Sequence, residues 1–208
     1  MKVHLFFERL VMRISYHRHF EDLWIGVLGG KSDDHLLRRL EAALVLIRQH
    51  DPVRYKRICR DIDRIWICPL PGPLGSFQPA LRRCNLEFRF VGSSSPEVIA
   101  STIVHEATHA HPCLRKIGYP EALRYRIEQI CMRQELAFAS RLPDGGEARE
   151  QVERNLTRPP SSWSDAALGT WYASEELAMA RHFGVPDWII KSSRAIRNAR
   201  QRLRRVIG

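Results

Sequence analysis

The sequence predicts an α+β fold that is predominantly helical, and three observations carry that expectation. Several long stretches repeat apolar residues at helical spacing, two short runs read as strands, and no loop marks a compositional shift that would divide the chain. The 208 residues, 44% hydrophobic and 27% charged, supply enough apolar material for one core of ordinary size. A single domain over 1–208 is therefore expected, with a helical N-terminal region over 1–62, a sheet and helical hairpin over 63–143, C-terminal helices over 144–190 and a basic tail 191–208.

The first segment, near residues 2–20, reads as a helix. A better one runs from Asp33 to His50, where Leu36, Leu40, Leu44 and Ile47 recur at helical spacing and Ser32 or Asp33 can cap the entry. Asp51-Pro52 then forms a cap and first-turn proline for a helix toward Arg60. Two strands are expected at Arg64–Cys68 (RIWIC) and Leu86–Val91 (LEFRFV). In the second, Leu86, Phe88 and Phe90 alternate with Glu87 and Arg89. Between them, Pro69, Pro71, Gly72, Pro73, Gly75 and Pro79 predict a loop.

From Ser94 the pattern turns helical. Either Ser94 and Glu97 form a capping box or Ser95 caps with Pro96 in the first turn, and the helix runs to about Leu114. A turn at Lys116–Tyr119 leads to Pro120-Glu121 and a second helix reaching Arg141, ended by Pro143 and Gly145-Gly146. The two make a hairpin. Pro159-Pro160-Ser161-Ser162 is a loop, Ser164–Phe183 a helix closed by Gly184 and Pro186, and a last helix starts near Asp187.

Charge first suggests a polyanionic partner, since 33 basic and 23 acidic residues give a net +10. Its distribution narrows that reading. Lys191, Arg194, Arg197, Arg200, Arg202, Arg204 and Arg205 lie in the last 18 residues, leaving 26 against 23 in the rest. Arg194, Arg197 and Arg204 share one helical face, a candidate phosphate-tracking stripe, but no aromatic residue is interleaved to stack on bases. The apolar start is broken by Glu8, Arg9 and Arg13, unlike a signal peptide, and no run approaches a membrane span, so a soluble, cytoplasmic chain is expected. Five cysteines without a C-x-x-C pair argue against a disulfide framework and against a cysteine zinc site.

The chemistry is concentrated at residues 105–109, His-Glu-Ala-Thr-His. On a helix, residues four apart lie one above the other. His105 and His109 can thus offer two imidazoles to one zinc ion while Glu106 reaches the water on it. Ile99, Ile103, Ala107, Ala110 and Leu114 form an apolar stripe opposite the imidazoles, which are flanked by Val98 and Thr102, so the helix is expected to be buried on two sides. A catalytic zinc needs a third protein ligand. With the turn centred near residue 117, antiparallel packing sets residue 125 level with His109 and residue 129 level with His105. That brings Glu128 to the metal, with Glu135, one face-repeat further on, in reserve. Either carboxylate could instead pair with Arg124 or Arg133 at the surface.

HEATH followed after 18 residues by glutamate resembles the gluzincin class of zinc metallopeptidases. LEFRFV resembles the strand along which zincins lay an extended peptide. The region from His105 to Pro143 also resembles a set of small bacterial proteins regarded as peptidases, so the likeness covers about residues 86–143. It implies a minimal zincin-like core, one Zn2+ ion, a peptide or protein substrate, and Glu106 as the general base that passes a proton to the leaving amine. An oxyanion donor is still required, for which His111, Tyr119, Tyr125, Tyr172 and His182 are candidates. Ala110 follows the second histidine and no aspartate occurs between 114 and 143, a departure from many gluzincins. The group that orients a ligating histidine must then be Glu135 or a backbone carbonyl. Two further readings stand beside the peptidase: a DNA-recruited zinc protease resembling the SprT-like group, anchored by the tail, and a non-catalytic zinc protein, which would have no use for Glu106.

Overall fold

The computed structural model describes residues 8, 10–182, 184–186 and 188. The helix expected from Asp187, the tail with Arg194, Arg197 and Arg204, and the His182 side chain lie outside the described residues. The chain is mostly helical with one small mixed sheet, the α+β class the sequence predicts.

Five strands, β1 (Tyr16–Phe20), β2 (Leu23–Val27), β3 (Arg64–Cys68), β4 (Gly75–Gln78) and β5 (Arg83–Glu87), lie in the order β1-β2-β3-β5-β4. β2, β3 and β5 are parallel, while β1 and β4 pair antiparallel at the two edges. The helix expected to reach residue 20 ends at residue 14. Beyond it, Tyr16, Arg18 and Phe20 alternate with exposed His17 and His19, and Leu23, Ile25 and Val27 point into the core. That period of two favours strands, and Glu21, with φ of 52°, turns the chain between them.

α1 (Asp34–His50) and α2 (Pro52–Asp61) form the crossover from β2 to β3. Asp33 does not cap α1 with its side chain; its carboxylate accepts from Gly30 N–H in the preceding 3-10 turn. Asp51 does cap α2, accepting from Arg54 N–H at 3.0 Å, with Pro52 in the first turn.

Two strand expectations need correction. The Pro/Gly loop contains β4, and the LEFRFV strand stops at Glu87. The Glu87 carboxylate accepts from Phe90 N–H at 2.7 Å, a helix cap that starts α3 (Phe88–Ser93) where alternation suggested more strand. β5 therefore lies inside the sheet, between β3 and β4, and the edge on that side belongs to β4.

α4 (Pro96–Leu114) begins with Ser95 as cap, its Oγ accepting from Val98 N–H, and Pro96 in the first turn. α5 (Glu121–Ala139), α6 (Gly146–Leu156) and α7 (Asp165–His182) follow, with a 3-10 turn at Pro160–Trp163. The main core joins Ile25, Ile65 and Leu86 of the sheet to Leu40 and Leu44 of α1, Ile99 and Ile103 of α4, and Phe138 of α5. On the sheet's other face Trp66, Cys68 and Leu81 pack with Met12. Among the described residues, no helix is long and apolar enough to cross a membrane.

Candidate metal centre

Burial all round the first half of α4 is what makes its polar residues informative. Val98, Ile99, Ala100, Ser101, Thr102, Ile103 and Val104 are all buried, as are Glu106 and Ala110. A turn carrying two imidazoles continues this stretch, half-buried at both histidines. The stripe ends sooner than its spacing suggests, because Leu114 is 41% exposed. On α5 the buried polar residues are Arg124, Glu128 and Glu135, with Cys131 between the two glutamates. These positions follow one helical face, and that face meets α4.

The hairpin brings the donors together. His105 Nε2 and His109 Nε2 are 3.2 Å apart, and the Glu128 carboxylate lies 3.3 Å from each. Atoms held about 2.0–2.1 Å from one ion at tetrahedral angles lie about 3.3–3.4 Å from each other. The two imidazole nitrogens, and each of them with its own Glu128 oxygen, thus stand at the spacing of donors that share one ion. His105, His109 and Cys131 also form a cluster whose ligand atoms lie within 4.8 Å of one another, and it can hold a metal ion.

Glu135 faces the opposite nitrogen of the same imidazole. His105 Nδ1–H donates to Glu135 at 2.9 Å, and Ser101 Oγ donates to the other Glu135 oxygen at 3.0 Å. With Nδ1–H committed to Glu135, Nε2 is the nitrogen that faces Glu128, and loss of its proton is what frees it for a metal. Glu135, expected in reserve as a ligand, thus meets His105 on the nitrogen that faces away from Glu128. Neither glutamate pairs with Arg124, which instead donates to Trp163 O and Asp165 at 2.8 and 2.7 Å and stands over the Tyr119 ring.

The charges are strongly coupled. Burial alone would lower the His105 pKa, but hydrogen bonds to Glu128 and Glu135 outweigh it and hold the imidazole well above its usual value. Burial would raise Glu128; hydrogen bonds from both histidines hold it well below the usual carboxylate range instead. Glu106 goes the other way, its pKa raised by burial against the opposing pull of His109 and His105. Burial also pushes the Cys131 thiol up.

Glu106 is seated against β4. A Cβ at Gly75 would come within 2.9 Å of Glu106 Cγ and 3.1 Å of Oε1, so the missing side chain of Gly75 is the room Glu106 occupies. Both belong to a cavity of about 520 Å³ lined by β4, both histidines, Glu128 and, across from them, Trp163, Trp171 and Tyr172.

Four of the five oxyanion candidates have described side chains, and they separate. Tyr119 lies at the centre, donating to Glu128 and meeting His109 edge-on at 5.6 Å. Tyr172 lines the same cavity. Tyr125 is not among its lining residues, and His111 is on the far side of α4, 3.9 Å from Asp61. The residues that sequence reasoning misses are Cys131, set aside there because no C-x-x-C pair marks it, and Ser101, Gly75 and Arg124. A helix-face count of buried polar positions points to Ser101 and Arg124, whereas Gly75 carries no local signal.

Comparison with protein-family models, curated proteins and solved structures finds no match for the chain.

Proposed function

We propose that this chain is a zinc-dependent peptidase of the gluzincin kind, with His105, His109 and Glu128 as ligands and Glu106 as general base. One observation carries the reading: two imidazoles and a carboxylate from two helices converge at the spacing of metal donors beside a buried carboxylate that faces the edge strand β4.

His105, His109 and Glu128 would hold the ion, which when bound would supply a water of lowered pKa and a Lewis acid for the scissile carbonyl. The chain's own groups do the rest. Glu135 keeps the His105 proton on Nδ1, leaving Nε2 free to ligate. Glu106, its pKa raised by burial, takes the proton of the attacking water on its carboxylate and returns it to the departing amine. Among the described residues β4 has β5 as its only neighbour in the sheet, so its other edge can hold an extended peptide as one more strand across the cavity. β4 thereby takes the role expected of LEFRFV. Tyr119 and Tyr172 are the hydroxyl donors available to the developing oxyanion.

Metal analysis of wild type, His105→Ala and Glu106→Gln, paired with hydrolysis of a casein digest, tests the proposal. About one zinc per chain is expected in wild type, with loss in His105→Ala. Glu106→Gln should keep its metal and lose about 10²–10⁴-fold in rate. Wild type without a transition metal would sink the reading.

A second reading rests on Cys131, whose sulfur belongs to the donor cluster. A thiolate added to two histidines and a carboxylate completes four ligands, and a closed site is structural rather than catalytic. Cys131→Ala decides between the two. The peptidase keeps its zinc and its activity, whereas the closed site loses affinity for the metal.

A further inference from the structure

The α4–α5 hairpin has two sides, and the metal centre uses one of them. On the other side, α2, α4 and α5 border a groove of about 900 Å³. Its floor is aliphatic, made by Ile58, Val104, Ala107 and Ile127. Ile117, Leu123 and Ile130 also line it and are 49%, 42% and 48% exposed. Apolar side chains gathered at the surface in this way mark a place where another apolar surface is meant to sit.

The rim is cationic. Five arginines and His111 line the groove against one carboxylate, Asp61. Asp61 is already held by Arg60 through two hydrogen bonds of 2.7 and 2.8 Å. Arg54 is engaged by Asp51 and Gln134. Arg57, Arg115 and Arg126 are exposed and have no acidic partner among the described residues. They come from three different places, α2, the end of α4 and α5, so their charges surround the aliphatic floor.

We propose that this groove docks an acidic amphipathic helix of a partner protein, with aliphatic residues at i, i+3, i+4 and i+7 on the floor and flanking carboxylates on Arg57, Arg115 and Arg126. Two observations select this occupant. No Phe, Tyr or Trp lines the groove, so nucleic acid would find phosphate contacts but no surface on which to stack a base. The chain's own segments 1–7 and 189–208 contain lysine and arginine but no aspartate or glutamate, so the rim repels them. The proposal does not depend on the metal centre being catalytic.

Fluorescence anisotropy tests it with three labelled probes: an acidic amphipathic peptide of about 16 residues with leucines at the stated spacing, a scrambled peptide of the same composition, and a single DNA strand of similar length. The full chain should bind the amphipathic peptide with a micromolar Kd that weakens with salt. Binding should fall about tenfold or more in the double variant Arg57→Glu, Arg126→Glu and in Ile130→Asp. Arg115→Glu, on the loop after α4, probes the same rim from a position outside both helices, and thermal melting verifies that each variant is folded. Equal binding of the scrambled peptide, tighter binding of the DNA strand, indifference to the folded variants, or no binding below millimolar concentration would each overturn the proposal.

Discussion

His105 holds two carboxylates at once, Glu135 on Nδ1 and Glu128 on Nε2, and the pH behaviour of the site follows from that. A metal must displace the proton on Nε2, and that proton is retained well above the usual imidazole range because burial is outweighed by the two carboxylates. The sign is then fixed. Metal affinity should rise as pH rises through the raised His105 value and level off above it. Glu128, ionised throughout because its pKa is depressed, adds no slope near neutrality. Competition titration with a zinc-binding dye between about pH 6 and 9 reads this directly, and a flat profile would contradict it. Glu135→Gln should flatten the dependence, because it removes one of the charges that retain the proton. At Gly75 the expected effect is steric. A methyl group there meets Glu106 Cγ at 2.9 Å, so Gly75→Ala should lower peptide hydrolysis about tenfold or more by turning the carboxylate aside, while zinc content stays at the wild-type level. Loss of metal in that variant would instead mean that β4 supports the ligands.

Elements with a local cause are the ones legible in the sequence. The Asp51-Pro52 cap, the Ser95-Pro96 start of α4 and the proline and glycines that end α5 are each decided within a few residues, and all three hold. The convergence of Glu128 on the two histidines was legible too, because the register of a short hairpin follows from its turn. What was not legible depended on partners far away. β1 and β2 require each other and β3, and the four residues of β4 are a strand only because β5 runs beside them. The end of β5 was hidden for a different reason: the Glu87 side chain captures Phe90 N–H and breaks an alternation that the sequence continues. Asp51 offers a test at this scale. It caps α2, pairs with Arg54 at 3.0 Å and meets Arg141, just beyond α5, at 2.8 Å. Asp51→Ala should cost about 1–3 kcal/mol in urea unfolding, from the lost cap and two deserted guanidinium partners. Asp51→Asn, which keeps an acceptor for Arg54 N–H, should cost less. Equal losses would show that charge, not the cap, dominates.

For the whole molecule, the proposed metal centre would join α4 and α5, 19 residues each, across the cavity wall. A ligand that binds only the folded chain stabilises it, by about 4 kcal/mol when free metal is a thousandfold above its Kd. Chelation by EDTA should therefore lower the melting temperature of wild type by roughly 10 °C and leave His105→Ala unchanged; calorimetry with and without chelator measures it. The parallel pairs β2-β3 and β3-β5 bring together strands distant in sequence, whereas all three proposed ligands lie between residues 105 and 128. Closing so short a loop carries a smaller entropic cost than assembling the sheet. If the proposed ligands hold an ion, the hairpin alone would carry all three of them, so some binding would precede the sheet, and the order of assembly would depend on the metal supply. Refolding started in zinc should be faster than refolding into EDTA with zinc added afterwards, so the ion would act on this chain first as a template for its own helices.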